Sequence, residues 1–338
     1  MTPAVVITGF GLEIPGLAGP EELLARDEPI VPAEFQPAAR LGRKGLLGKD
    51  RSTRLALCAA HAALTAAGLP TTSAEQLDPD ETGVCVSSNL GNLDTICHVV
   101  ATIHAGHVRD TSVLDVPNAS SNVVASTLAI RFGCRAANLM FTSGGGAGID
   151  ALHFGANLIR AGRARRVIVA GVETRNEVTE KLARASAASW PGAPGEPRLA
   201  DGAAALILER EDAAQARGAA ALARIGGYGF APGQDLEASV AAALGGWDAP
   251  PPALWLTPAH AYPGVAAAIE RVLARWASRR PACRDLEPAL GESQGLLGAA
   301  QCAAACVALA RRGPEAVLLT SGAAWKDGSS SLLIEGAR

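Results

Sequence analysis

Imidazoles and thiols are the side chains of this sequence best suited to chemistry, and their spacing decides what they can do. His98, His104 and His107 fall in one short segment. A shared metal ion would need carboxylate or thiolate partners at ligand spacing, which the segment lacks, and a helix with its exit is an ordinary solvent-facing setting. No metal is expected there. His61 and His153 each interrupt an apolar helical run and read as hydrogen-bonded packing residues. The seven cysteines, Cys58, Cys85, Cys97, Cys134, Cys283, Cys302 and Cys306, are odd in number and contain no CxxC pair. That disfavours both a disulfide framework and a zinc site. All but Cys283 have apolar or small neighbours, so they are expected to pack as small core residues.

Two glycine runs are the next candidates. Gly9-Phe10-Gly11 follows an apolar strand and could open a dinucleotide-binding turn, but Ile14 occupies the third glycine position and Pro15 follows instead of a helix. Nucleotide binding is not expected. Thr142-Ser143-Gly144-Gly145-Gly146-Ala147-Gly148 lies between a strand and a helix. Its amides could face an anion, or its small residues could permit a tight turn and close packing, and the second reading needs nothing further.

Composition narrows the partners. With 338 residues the chain is long enough for one large domain or two intimate halves with a substantial core. Hydrophobic residues make up 49% and charged residues 19%, and the formal net charge is −3, which argues against disorder and against a polyanion-binding surface. Aromatics at 4% leave few stacking platforms for single-stranded nucleic acid. Met1 to Pro20 shows no basic leader or cleavage pattern, and no apolar run is long enough to span a bilayer, so a cytoplasmic location without membrane contact is expected. No cofactor is implied.

The elements that must position these residues alternate. Val5-Val6-Ile7-Thr8, Val84-Cys85-Val86, Val167-Ile168-Val169 and Ala205-Leu206-Ile207-Leu208 read as buried strands. Arg51 to Ala67 reads as a helix, with Asp50 to cap its start and Gly68 its end. This is the pattern of an α/β protein. It also repeats. A helical run from Gly148 to Ala161, a strand at Val167 to Ala170 and a strand at Ala204 to Glu209 are echoed by a run from Gly295 to Arg311 and strands at Ala316 to Thr320 and Ser331 to Glu335. Two related halves are expected, 1–212 and 213–338, divided at the polar stretch Arg210 to Arg217.

A family resemblance enters with Val5 to Gly11. It becomes specific from Val116-Pro117-Asn118 through Ile130-Arg131-Phe132-Gly133 to Gly148-Ile149-Asp150-Ala151-Leu152, and continues through Val169-Ala170-Gly171-Val172-Glu173 and Asp201 to Glu209. Gly291-Glu292-Ser293-Gln294-Gly295-Leu296-Leu297-Gly298-Ala299 is similar to a further motif with its key residue altered. The sequence resembles the β-ketoacyl synthases of the thiolase-like superfamily, most of all the chain-length factors (ketosynthase-β subunits) of type II polyketide synthases. The contracted 213–285 region is similar to the highly reducing, polyene-forming kind. The resemblance implies a duplicated αβαβα layered fold.

That family acylates a cysteine at a strand-to-helix elbow, because a thiolate is a strong nucleophile that a helix N-terminus can activate. Two histidines and a lysine assist decarboxylation of the extender. Carried over position by position, the cysteine falls on Gly145, the first histidine on Thr257 with His260 close by, the lysine near Glu287 and the second histidine on Glu292. Gly145 has no side chain to acylate, and Glu292 would set negative charge where an enolate develops. The mobile gate is represented by Ala323-Ala324-Trp325-Lys326-Asp327, with Trp325 in the gate-like place.

The resemblance therefore implies a catalytically dead subunit paired with an active ketosynthase and served by an acyl carrier protein. Asn138 to Thr142 would meet its counterpart across the dimer axis. The tunnel and interface would draw on Leu90, Leu93, Thr95, Ile96, His98, Val99, Thr102, Leu114, Asp115, Asn118, Phe141 and Thr142. Leu93, Ile96, Val100 and Ile103 share a helical spacing that fits either core or tunnel lining. Arg40, Arg43, Lys44 and Lys49 could meet an acidic carrier protein or form a solvated loop. The other functions open to such a chain are a malonyl-carrier-protein decarboxylase supplying a starter unit and a purely structural scaffold.

Overall fold

The computed structural model describes residues 3–71, 77–188, 197–233, 235–258, 264–276, 279–312, 316–322 and 328–337. Its strands are β1 (Val5–Glu13), β2 (Thr82–Ser87), β3 (Asn138–Phe141), β4 (Arg166–Glu173), β5 (Gly202–Arg210), β6 (Ala223–Ala231), β7 (Leu254–Leu256), β8 (Ala282–Arg284), β9 (Ala316–Gly322) and β10 (Ser329–Gly336). Its helices are α1 (Glu22–Ala25), α2 (Pro37–Leu41), α3 (Arg51–Ala66), α4 (Leu93–Ala105), α5 (Val123–Phe132), α6 (Ala147–Arg160), α7 (Glu177–Ala188), α8 (Glu211–Ala216), α9 (Leu236–Leu244), α10 (Val265–Arg275), α11 (Glu287–Leu290) and α12 (Gln294–Arg312). Among these residues no helix is long and apolar enough to cross a membrane, and no group of histidine, cysteine and carboxylate side chains could hold a metal ion.

The strands run in the order β3-β2-β4-β5-β1-β6-β10-β9-β7-β8. Read from β1 outward and from β6 outward, the two series repeat: first strand, fifth, fourth, second, third. The mixture of parallel and antiparallel pairs repeats as well, since β2 is parallel to β3 and β4 while β4 and β5 are antiparallel, and β7 is parallel to β8 and β9 while β9 and β10 are antiparallel. Among the described residues, the ladder pairs between the two strand series are a short antiparallel contact, Val6 with Arg224 and Ile7 with Ala223. The duplicated helix-strand-strand pattern is thus α6-β4-β5 and α12-β9-β10.

Three apolar cores separate the layers. One packs α3 and α5 against the outer face of the first series through Leu55, Leu64, Leu128 and Phe132. Another packs α9 and α10 against the second series through Val240, Trp255, Val272 and Trp276. The largest lies between the series and holds α6 and α12, with Ile149, Leu152, Leu296 and Leu297. A sheet covered on both faces has no polar side, so β4 is buried along its whole length and is apolar throughout between its two charged ends, Arg166 and Glu173.

Local chemistry explains the joints. Asp50 caps α3 by accepting from the Thr53 amide at 2.8 Å, and Gly68 takes a left-handed φ of +65° beyond its end. The Gly9 and Gly11 pair has a packing cause, because a Cβ on either would strike the backbone of α3 at Ala63 or Ala59. The equivalent strand β6 carries Gly227 and Gly229 against Ala243 and Ser239 of α9 for the same reason. In the middle layer a Cβ on Gly148 would lie 2.8 Å from the Gly298 amide, so α6 and α12 cross at backbone distance.

One expectation needs correction, and one open alternative narrows. Cys97 is exposed, as is Cys283, whereas Cys58, Cys85, Cys134, Cys302 and Cys306 are buried. The cause is that α4 is barely covered by the rest of the chain. Of its residues only Val99 is buried, while Val100 and Ile103 face outward, so the helical spacing of Leu93, Ile96, Val100 and Ile103 does not mark an internal core. His153 fits its packing role better, stacking on Tyr228 at 3.7 Å and meeting Asn157 at 2.8 Å.

Candidate functional site

The elbow is built by β3, a single helical turn at Gly144–Gly146, and α6. β3 is the strand at one end of the sheet, so one of its edges is unpaired among the described residues. Gly144 has φ +74°, a conformation that suits glycine, and Asn89 clamps it from both sides. The Asn89 side-chain amide donates to the Gly144 carbonyl at 3.0 Å, and the Gly144 amide donates to Asn89 Oδ1 at 3.0 Å. Gly145 lies between Gly144 and the buried Gly146, partly exposed. A Cβ placed on it would stand 3.0 Å from Gly322 Cα and 3.2 Å from Gly322 N, so a side chain there requires backbone at the end of β9 to move.

Beneath the elbow, Asp150 accepts three hydroxyl protons, from Ser143 at 2.7 Å, Ser330 at 2.6 Å and Tyr228 at 3.0 Å. This carboxylate joins the elbow to β10 and β6. Burial, the Asp150 charge and its acceptance of the hydroxyl proton together push the Tyr228 phenol above its ordinary range, despite an opposing hydrogen bond with Ser330.

Beside the elbow sits Glu173, at the end of β4 and 4% exposed. Its carboxylate accepts from the backbone amides of Asn89 at 2.6 Å, Leu90 at 3.0 Å and Gly295 at 3.1 Å. Burial pushes its pKa up to about 7 against the lowering effect of these bonds. Sequence reasoning placed Asp150 and Glu173 in family motifs but gave neither a role, and overlooked Asn89. The available signal was a carboxylate closing an otherwise apolar strand.

The remaining expected positions are dispersed around this centre. Thr257 follows β7 and is buried, its amide donating to the Arg284 carbonyl at 2.8 Å. Glu287 opens α11 and accepts from the Ser293 amide at 3.0 Å, and burial, then the Asp285 charge, raise its pKa to about 8. Glu292 is exposed and accepts from Gln294 at 2.8 Å. Arg198 staples this segment by donating to the carbonyls of Glu287, Pro288 and Ala289. His260 and Trp325 lie outside the described residues.

The other named residues lie on or just before α4, on the 114–118 stretch and at the end of β3. Leu90, Leu93, Thr95, Ile96, Thr102, Asp115 and Phe141 are partly buried, and His98, Leu114 and Thr142 are exposed. Asn118 is the buried member with Val99, donating to the Leu114 carbonyl at 2.9 Å and to the Gly48 carbonyl, while Asn92 ties the start of α4 to the carbonyls of Asn118 and Ser120 at 3.0 Å. His104 and His107 are exposed and gather no ligand set.

The comparisons with known proteins agree with this architecture. The model of the β-ketoacyl synthase N-terminal domain matches residues 37–214, more than half of the chain. A 3-oxoacyl-[acyl-carrier-protein] synthase 2 of Vibrio harveyi is 26% identical over 215 residues, which cover 58% of this chain and 50% of that protein. The chain spans about half the length of the curated relatives first matched. Among solved structures, a type II polyketide synthase acyl carrier protein in complex with its ketosynthase bound to the hexaketide superposes with a TM-score of 0.85 at 17% identity. The ishigamide ketosynthase/chain length factor gives 0.84 at 18%. Both cover 100% of each chain, so the thiolase-like fold is shared in full. The chain belongs to the β-ketoacyl synthase family.

Proposed function

We propose that this protein is a non-catalytic chain-length factor, which pairs with an active ketosynthase and shapes the tunnel that receives the growing polyketide. The elbow carries the reading. Its nucleophile position is read as Gly145, which offers only hydrogen, and a Cβ there would be crowded by the Gly322 backbone. Thr257, Glu287 and Glu292 supply neither imidazole nor ammonium to polarise an enolate. A partner supplies the thiol. The chain-length factor in the ishigamide pair and the carrier protein bound to a ketosynthase are arrangements of the same fold that fit this assignment.

The surface supports a partner. Val100, Ile103, Val108, Val113, Leu114 and Val116 are exposed within one stretch, half of all the large apolar side chains exposed among the described residues, and the β3 edge is unpaired. Soluble chains normally cover both features. Bulk along Leu90 to Thr102 then sets how far the acyl chain extends. Co-expression with the cognate ketosynthase should yield a heterodimer. Leu90→Ala and Thr102→Trp should change product length. Unchanged length across the series overturns the tunnel assignment, and CO2 release from malonyl-carrier protein by this chain alone overturns the non-catalytic one.

A further inference from the structure

We propose that Asn118 is a positioning residue for chain length: together with Asn92 it clasps the neck of the 92–118 excursion, and so fixes the direction in which α4 carries its tunnel wall. It does this without touching the acyl chain. The clasp rests on the chain-length reading and deepens it. Packing shows why one is needed. α4 is 13 residues long, a length at which a helix is marginal in water without tertiary support. It buries only Val99, its main packing partners are α7 and the 108–119 stretch, and from Cys97 to Pro117 no other residue is buried. The core does not decide where this helix points.

The neck does. Asn118 is 2% exposed and donates its side-chain amide to the carbonyl of Gly48 and, at 2.9 Å, to that of Leu114. Its own carbonyl accepts from the Asn92 side chain at 3.0 Å, and the same Asn92 amide donates to the Ser120 carbonyl at 3.0 Å. The two ends of the excursion are thus joined to each other and to the rigid layers, since Gly48 lies just before Asp50, the cap of α3, and Ser120 just before Val123, the first residue of α5. Gly48 fits this joint because its φ is +68° and a Cβ on it would stand 2.9 Å from Leu114 Cβ. Asn92 shows which bond prevails. It occupies the N-cap of α4, where an asparagine side chain ordinarily accepts from the first-turn amides, yet it makes no capping bond and is turned to the neck instead. From Leu93 to Thr102 the helix runs about 14 Å, so a tilt of about 5° at Asn92 moves Thr102 by about 1 Å.

The test uses the complex with its ketosynthase and reads the ratio of product lengths, which a merely structural defect does not move, beside yield and urea midpoint. Asn118→Ala should raise the share of off-length products about threefold to tenfold, the factor that one lost hydrogen bond carries. Asn118→Asp should raise it further, because a carboxylate is repelled by the Gly48 and Leu114 carbonyls that the amide now binds. Asn92→Ala should act alike, and the double variant Asn92→Ala with Asn118→Ala should be no worse than the more severe single one, since both belong to one clasp. Additive effects overturn the clasp. So does an unchanged ratio in Asn92→Ala and Asn118→Ala while Thr102→Trp shifts it, a result that leaves the tunnel standing. An unchanged ratio in all of them removes the tunnel and the clasp with it. If the variants of buried Asn118 fail to fold, partly exposed Asn92→Ala decides the matter alone.

Discussion

Gly145 has no side chain to acylate, and a Cβ placed on it would stand tight against the Gly322 backbone, at 3.0 Å from its Cα. Restoring the nucleophile as Gly145→Cys should therefore leave condensation absent while costing about 1–2 kcal/mol, because the new Cβ overpacks against Gly322 backbone. Urea unfolding and a carrier-protein acylation assay check both halves of that statement. Titratable groups give a second prediction. Glu173 and Glu287 hold raised pKa values of about 7 and about 8, so their contribution to stability is complete below the ordinary carboxylate value and is lost as pH rises through 7 and 8. Glu209 runs the other way. Burial alone would raise it, but Arg217, Arg166 and Thr8 bond it at 2.5, 2.9 and 2.7 Å and hold it below its ordinary value, so its contribution is lost in acid. Thermal stability should peak in mildly acidic solution and fall towards pH 9, and Glu173→Gln with Glu287→Gln should flatten the alkaline limb.

At the scale of elements, α3 and α4 are opposites. α3 was legible because its cap, its period and its terminal glycine are all local signals, and its apolar face meets β1 and β5 of the same chain. The spacing in α4 correctly marks an apolar stripe, but no local signal says whether that stripe faces this molecule or another. The elbow was legible as a turn, whereas the groups that fix it were not. Asp150 reaches Ser330 across 180 residues and Glu173 reaches Gly295 across 122, separations that leave no periodic trace. In the free chain α4 should exchange its amides far faster than α12, whose apolar residues are buried in the central layer. Binding the ketosynthase should slow it. Equal protection of the two helices in the free chain would count against α4 as partner surface. At the other sheet face, Gly9→Val should cost several times as much as an exposed substitution such as Ala101→Val, read as the shift in urea midpoint, since its side chain must displace the α3 backbone.

For the whole molecule, the repeat of strand order sets the two series about α6 and α12, and hydrogen bonds such as Ser330 to Asp150 and the Gly295 amide to Glu173 tie them together. The family likeness located this junction through motifs, while the depth of the coupling needed the coordinates. An isolated chain should self-associate through its β3 edge and the 100–116 surface, and size-exclusion chromatography showing a well-behaved monomer would count against that surface as an interface.

The narrow seam between β1 and β6 has a consequence of its own. Only two residue pairs join the series there, and the loop after α8 that carries the chain across includes Gly218 and Ala220, both exposed. Much of the adhesion is supplied by the middle layer, where α12 packs on α6 and also on β4 and β5 of the first series. Severing the peptide bond after Gly218 should thus produce two fragments, each left with a bare helix and unable to stay soluble alone. Mixed during refolding, they should find one another and rebuild the layered molecule without a covalent link, a complementation that would make the pair usable as a split reporter of assembly with the ketosynthase.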